Sequence, residues 1–255
     1  MQPFRTELTR LGDKSDGGYA LPAKAIHGIK SCISIGLGGN WSFEKSLKDE
    51  FGIQRIIIYD GTVGLCAFVL DAIAAFRDFI LRRRSFNHLY KRILFCFQYF
   101  KFFRRRIVHE KKMIVETSAS KKQLSIGDVL NRIRQPEETI LKIDIEGNEY
   151  GLARQLLTAA KFRRIRILIM EWHETERCRS EFLQFVHEMS VSHYLVHLHE
   201  NNCTPLAADL LPITLELVWQ SKKIEVLDER VEKLPIIGID CPNNHKNPAH
   251  NFKFF

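Results

Sequence analysis

At 255 residues, with 45% hydrophobic and 27% charged side chains, the chain can bury one substantial core and is too apolar to be disordered. No leader or membrane span is expected, because MQPFRTELTR lacks an apolar run and the richest stretch, LCAFVLDAIAAFRDFIL, is broken by Asp71, Arg77 and Asp78. The net charge of +8 is confined to residues 82–112, where eleven lysines and arginines face one acid, Glu110, while the rest of the chain is near neutral. The high pI therefore gives no general argument for nucleic-acid binding.

In chain order, RLGDKSDGGYALP (10–22) holds a D-G-G turn between two short apolar runs. SCISIG (31–36) predicts a strand ending in glycine, SFEKSLKDEFG (42–52) a helix, and RIIIYD (55–60) a β-branched strand ending in a carboxylate. Further on, 125–133 predicts a helix, TILKIDIEG (139–147) a strand, 148–159 a helix and IRILIMEWH (165–173) a strand. A helix over 180–189 and strands over 194–199 and 213–220 complete the pattern. Apolar runs this continuous suit strands covered on both faces, hence an α/β fold with a largely parallel sheet flanked by helices. The six cysteines, Cys32, Cys66, Cys96, Cys178, Cys203 and Cys241, show no C-x-x-C pairing and are expected as reduced, mostly buried thiols of a cytoplasmic protein.

Gly36, Gly38 and Gly39 directly follow a strand and precede a helix that Ser42 can cap, so backbone N–H groups and the positive helix end face the loop. Asp60, about 20 residues on at the end of the next strand, sits where a ribose would be recognised, with Gly61 beside it. The dinucleotide pattern G-x-G-x-x-G fails at Trp41, which argues against a pyrophosphate cofactor and leaves an oxidoreductase as a distant third reading. S-adenosylmethionine, which has no phosphate, fits better; the bland reading is a glycine turn in an unliganded sheet.

IGLGGNWSFEKSL, IIIYDGTV, LKIDIEGNEY and MEWH, in this order, resemble the FkbM-type branch of S-adenosylmethionine-dependent methyltransferases. RLGDKSDGGYALP, HLHENN and ITLELVW resemble a methyltransferase-like subgroup with a D-G-G-Y segment before the first strand. The resemblance covers roughly residues 10–63 and 113–220. It implies a Rossmann-like seven-stranded methyltransferase sheet with helices on both faces, forming a single domain over 1–240, with an irregular tail over 241–255. It implies S-adenosylmethionine as cofactor, with Gly36 and Gly38 beneath its amino-acid end, Asp60 on its ribose, and Asp16, Gly17, Gly18 and Tyr19 as a cover. Residues 64–112 match nothing in the family and stand where it places the third strand and the adenine contacts.

Asp144 and Glu146, at i and i+2 of a presumed strand, are expected on one side of the reaction centre, since two buried carboxylates are costly for a core. Asp144 would bind the methionine ammonium or orient the acceptor; its structural alternative is to cap the next helix. His173 is the candidate general base, oriented by Glu171, with a purely structural histidine as the alternative. His197 and His199 share a face and with Asp144 or Glu171 could hold a divalent metal, but such pairs read more often as packing or substrate contacts, so no metal is expected.

Within the insertion, Phe86, Leu89, Tyr90, Ile93, Leu94, Phe97 and Phe100 repeat at helical spacing, with Phe95, Tyr99, Phe102 and Phe103 off that stripe. Flanked by RRR at 82–84 and 104–106, this helix and the one before it suit a packed cover over the acceptor site or a peripheral contact with an anionic membrane surface. Nucleic acid is set aside as a partner because no RNA-binding motif accompanies the aromatics. The activity expected from the resemblance is O-methylation of a small molecule, sugar, glycan or lipid-linked acceptor. A catalytically inactive cofactor-binding or membrane-associated protein on the same fold is the alternative.

Overall fold

The computed structural model describes residues 1–103 and 106–247. Strands β1 (Leu8–Leu11) and β2 (Tyr19–Pro22) form an antiparallel hairpin, followed by the short helix α1 (Ala23–Ile26). Next come β3 (Ser31–Ile35), α2 (Ser42–Phe51), β4 (Arg55–Tyr59), the helical pair α3 (Leu65–Ile80) and α4 (Phe86–Phe102), and β5 (Ile107–Glu110). A small parallel pair, β6 (Met113–Val115) and β7 (Gln123–Ser125), leads into α5 (Ile126–Arg132). The chain continues through β8 (Thr139–Ile143), α6 (Glu149–Thr158), β9 (Ile167–Trp172), α7 (Arg179–Met189), β10 (His193–Glu200) and β11 (Leu215–Ser221).

Seven strands form one mixed sheet in the order β10-β11-β9-β8-β3-β4-β5, with β11 antiparallel to both neighbours and the remaining pairs parallel. The α/β architecture expected from the alternating runs is present, with helices on both faces. Alternation along each strand feeds two apolar layers: Leu141 and Ile143 point into one, with Trp172 and Trp219, while Ile140 points into the other, with Ile56, Ile58 and Ile167. All five residues of β8 and all six of β9 are buried, so the strands that carry the acidic motifs lie at the centre of the sheet.

The unassigned stretch hides the third strand. Ile107–Glu110 pairs with β4 in parallel at the sheet edge; its four residues are masked in the sequence by the basic runs around them. Arg104 and Arg105, part of the second RRR, lie outside the described residues. The hairpin α3–α4 precedes this strand and is seated through Trp41, whose ring lies 4.8 Å from Phe95, 5.8 Å from Tyr99 and 6.4 Å from Phe102. The aromatics off the expected stripe are the ones that pack: Tyr99 and Phe102 are buried, whereas Phe86, Tyr90, Ile93 and Phe97 are exposed and only Leu89 of the stripe is buried. Among the described residues no helix is long and apolar enough to cross a membrane. Of the cysteines only Cys32 is buried; Cys66 and Cys203 are exposed and the other three intermediate, so the expectation of mostly buried thiols does not hold.

Candidate active site

The loop after β3 and the ends of β4 and β8 enclose a cleft of about 470 Å3, within the usual range for small-molecule sites. Its walls include Gly36, Gly38, Gly39, Asp60, Gly61, Asp16, Gly17, Tyr19, Asp144 and Glu146. Gly18, Glu171 and His173 do not line it.

The glycines have different physical reasons. Gly36 has φ +91°, and a Cβ there would lie 1.7 Å from the Asp144 carbonyl oxygen, so only glycine lets the ends of β3 and β8 approach this closely. Gly38 and Gly39 are exposed and a Cβ on either would meet nothing within 4 Å, leaving open backbone beside the cleft. Asp60 ties this loop down. Its Oδ2 accepts the N–H groups of Leu37 at 2.9 Å and Gly38 at 3.0 Å; its Oδ1 accepts from the Thr62 N–H at 2.7 Å and hydroxyl at 2.6 Å. Burial pushes its pKa up, but these donors outweigh burial and hold it below the usual carboxylate range.

Ser42 does not cap α2. The cap-like contact comes from Asn40, whose Oδ1 accepts the Ser42 N–H at 2.9 Å, freeing the Ser42 hydroxyl to accept from the Asp13 N–H at 3.1 Å and donate to the Gly17 carbonyl at 3.3 Å. The D-G-G-Y segment is thereby fastened beside the glycine loop. Asn40 Nδ2 also donates to the Asp16 carbonyl at 3.0 Å, and the Tyr19 hydroxyl reaches Asp144 Oδ2 at 3.3 Å.

β8 ends at Ile143, so strand alternation does not govern Asp144 and Glu146. Glu146 takes a left-handed φ of +55° and Gly147 follows at +100°, which turns the Glu146 side chain out to 87% exposure while that of Asp144 keeps 24%. Asp144 is held by Lys142, whose Nζ donates to Asp144 Oδ2 and to the Gly36 carbonyl, both at 3.2 Å. Lys142 is buried; burial disfavours its charge, yet Asp144, Glu44 and Glu171 together raise its pKa and keep it protonated. Sequence reasoning overlooked Lys142, although it stands two residues before Asp144 in the quoted LKID run.

His173 lies just past β9, and its orienting partner is not Glu171. Nδ1 meets Glu149 Oε1 at 2.9 Å, whereas Nε2 is 3.9 Å from Glu171 Oε1 and 3.5 Å from Glu146 Oε2. Glu149 also accepts the Gly147 N–H at 3.1 Å. Burial pushes the His173 pKa down, but the hydrogen bond and charge of Glu149 more than offset this and raise it. Glu171 accepts from Asn201 Nδ2 at 2.8 Å; burial first, then the charges of Asp144 and Glu216, push its carboxyl well above the usual range. Glu149 and Asn201 were invisible in the sequence because each acts across the fold.

His197 and His199 are taken up by the C-terminal segment, although His199 shares a sheet face with Glu216 and Glu171. His197 Nε2 meets Asp240 Oδ1 at 2.8 Å, and His199 Nε2 meets Asn243 Oδ1 at 3.0 Å, so the pair binds the C-terminal segment. The third-strand region supplies Lys112, Met113 and Ile114 to the cleft wall, next to Gly61.

No protein-family model matches the chain, and no curated protein sequence matches it. Solved structures with a related fold include Sp1610 of Streptococcus pneumoniae, a candidate tRNA methyltransferase, at 11% identity and TM-score 0.37, covering 79% of this chain and 69% of that one. The methyltransferase domain of bacterial CtHen1-CN aligns at 10% identity and TM-score 0.35, over 76% of this chain and 91% of that one. A 16S rRNA adenine N1-methyltransferase from Catenulisporales acidiphilia aligns at 11% identity and TM-score 0.31, over 88% of this chain and all of that one. Two of the three are named for tRNA and rRNA, so the expectation that nucleic acid is unlikely as a partner finds no support among these neighbours. The basic segment reaches the cleft through Lys112, which its charge pattern alone did not show.

Proposed function

We propose that this chain is an S-adenosylmethionine-dependent methyltransferase of the FkbM type that methylates a hydroxyl oxygen, with a sugar of a free or lipid-linked glycan as the acceptor class. The observation that carries the reading is the open backbone of Gly38 and Gly39 facing a cleft whose other end is lined by Asp144 and Glu146. The carboxylates place negative charge beside that open backbone, which suits a cationic nucleoside. When bound, the cofactor supplies a methyl group activated by a sulfonium.

The residues divide the work by position. Asp60 fixes the glycine loop, and with Gly61 it forms the edge for the ribose, whose hydroxyl would replace that of Thr62 as a donor to Oδ1. Lys112, Met113 and Ile114 form the wall for the adenine. Asp144, locked by Lys142 and the Tyr19 hydroxyl, binds the ammonium or orients the acceptor. Asp16, Gly17 and Tyr19 cover the site and keep water out, with Gly18 only joining them. The acceptor hydroxyl would give its proton to a carboxylate of the Asp144, Glu146 and Glu171 group as its oxygen takes the methyl, and the electron pair of the broken carbon–sulfur bond would stay on sulfur.

Thermal unfolding with S-adenosylmethionine, S-adenosylhomocysteine or NAD tests the reading. The first two should raise Tm and NAD should not, since a ligand that binds only the folded chain stabilises it. Transfer of a labelled methyl group to glycan, lipid-linked glycan and RNA pools then identifies the acceptor. Stabilisation by NAD alone would reject the proposal.

A further inference from the structure

We propose that Asp144, Glu146 and His173 form a divalent-cation site at the ends of β8 and β9, a set of two carboxylates and one imidazole suited to Mn2+ or Mg2+. The inference deepens the methyltransferase reading and rests on it for the ion's role, which is to bind the acceptor oxygen and make its proton easier to lose.

One ligand atom from each residue lies within 4.8 Å of the others. An ion with bonds of about 2.1 Å holds adjacent ligand atoms about 3 Å apart and opposite ones about 4 Å apart. His173 Nε2 and Glu146 Oε2 are already at 3.5 Å, and the Glu146 side chain, 87% exposed, is free to swing the remaining distance.

The residue behind the histidine supplies an independent argument. Glu149 is fully buried; its Oε1 holds His173 Nδ1 at 2.9 Å and the Gly147 N–H at 3.1 Å, while its Oε2 has no hydrogen-bond partner. A carboxylate on the far nitrogen fixes the tautomer that aims the Nε2 lone pair outward, the usual support for a metal-binding imidazole. A buried carboxylate oxygen without a partner is costly unless positive charge lies close by, and a cation on the other side of the ring provides it. Glu171, 3.9 Å from Nε2, adds a further carboxyl group to the same space, and Lys142 pairs with Asp144 alone of the three ligands.

The full chain, stripped with chelator and titrated with Mn2+, reports binding through the electron paramagnetic resonance signal of free Mn2+. One ion per chain is expected, with affinity reduced at least about tenfold in Glu146→Gln and His173→Gln, about tenfold in Glu149→Gln, and unchanged in the remote Asp49→Asn. Glu146 is exposed, so its variant should keep the wild-type Tm without metal. The site is refuted if millimolar Mn2+ does not bind, if Glu146→Gln binds equally well, or if saturating S-adenosylhomocysteine expels the ion, since the cofactor ammonium would then account for the carboxylates. Calorimetry of S-adenosylhomocysteine in chelator separates the two ideas: cofactor binding without Mn2+ binding removes the metal alone, and loss of both removes the parent reading as well.

Discussion

Gly36 and Gly38 both have positive φ, at +91° and +54°, yet their substitutions should fail differently. Gly36→Ala drives a Cβ into the Asp144 carbonyl and cannot be accommodated without parting β3 from β8, so a loss of more than about 3 kcal/mol is expected in urea unfolding. Gly38→Ala carries only the backbone strain, about 1 kcal/mol, but projects a methyl into the cleft. It should leave the chain folded and weaken S-adenosylhomocysteine binding in calorimetry. Equal effects of the two on stability would contradict the close approach at Gly36. At the same scale, the Glu149 carboxylate is what raises the His173 pKa, so Glu149→Gln should lower it in an NMR titration.

The helical hairpin is an element held at one end. Trp41, where a dinucleotide loop would need glycine, is the socket for Phe95, Tyr99, Phe102 and Phe103, while Leu70, Ile73, Phe76 and Ile80 along α3 remain exposed. Trp41→Ala should cost about 3–5 kcal/mol and speed limited proteolysis at the exposed 81–85 turn before the sheet is cut. At the start of β10, His193 is buried, with Nε2 on the Ile165 carbonyl at 2.7 Å, and burial pushes its pKa down to about 4. The unfolded chain, with a histidine pKa of about 6.5, takes up that proton first. Stability should therefore be unaffected by this group above about pH 6.5 and fall by up to about 3 kcal/mol between there and about pH 4. Urea midpoints measured across that window should drop less in His193→Gln.

Across the whole molecule, the C-terminal segment joins the last strands to the first hairpin. Asp240 is held by His197 and His199, and Asn243 bridges Glu216 at 2.7 Å and Asp16 at 3.2 Å, so the cover over the cleft is fastened from the far end of the chain. Burial opposes both charges, but the two histidines hold the Asp240 pKa well below the usual range, and Asp240 with Glu216 raises that of His199. The Asp240 contribution is present above its unfolded pKa of about 4 and lost as pH falls through its lower folded value. The His199 contribution is present below about pH 6.5 and lost as pH rises through its raised value. Tail docking should be strongest between these limits. Asp240→Asn should speed amide exchange over residues 241–247 and flatten that pH dependence; unchanged exchange would show that the histidines do not hold the tail.

The sequence by itself determined the central strands, the glycine loop after the first of them, and the D-G-G turn, because each rests on local patterning: β-branched runs and residues that admit positive φ. Only the tertiary structure decided that Glu149 rather than Glu171 supports His173, that Lys142 locks Asp144, and that the off-stripe aromatics of α4 face the core. Periodicity aims a side chain only while its element continues, and β8 stops one residue before Asp144. Beyond that point direction comes from a left-handed turn at Glu146 and from the closure of distant segments on one another, which local spacing does not encode.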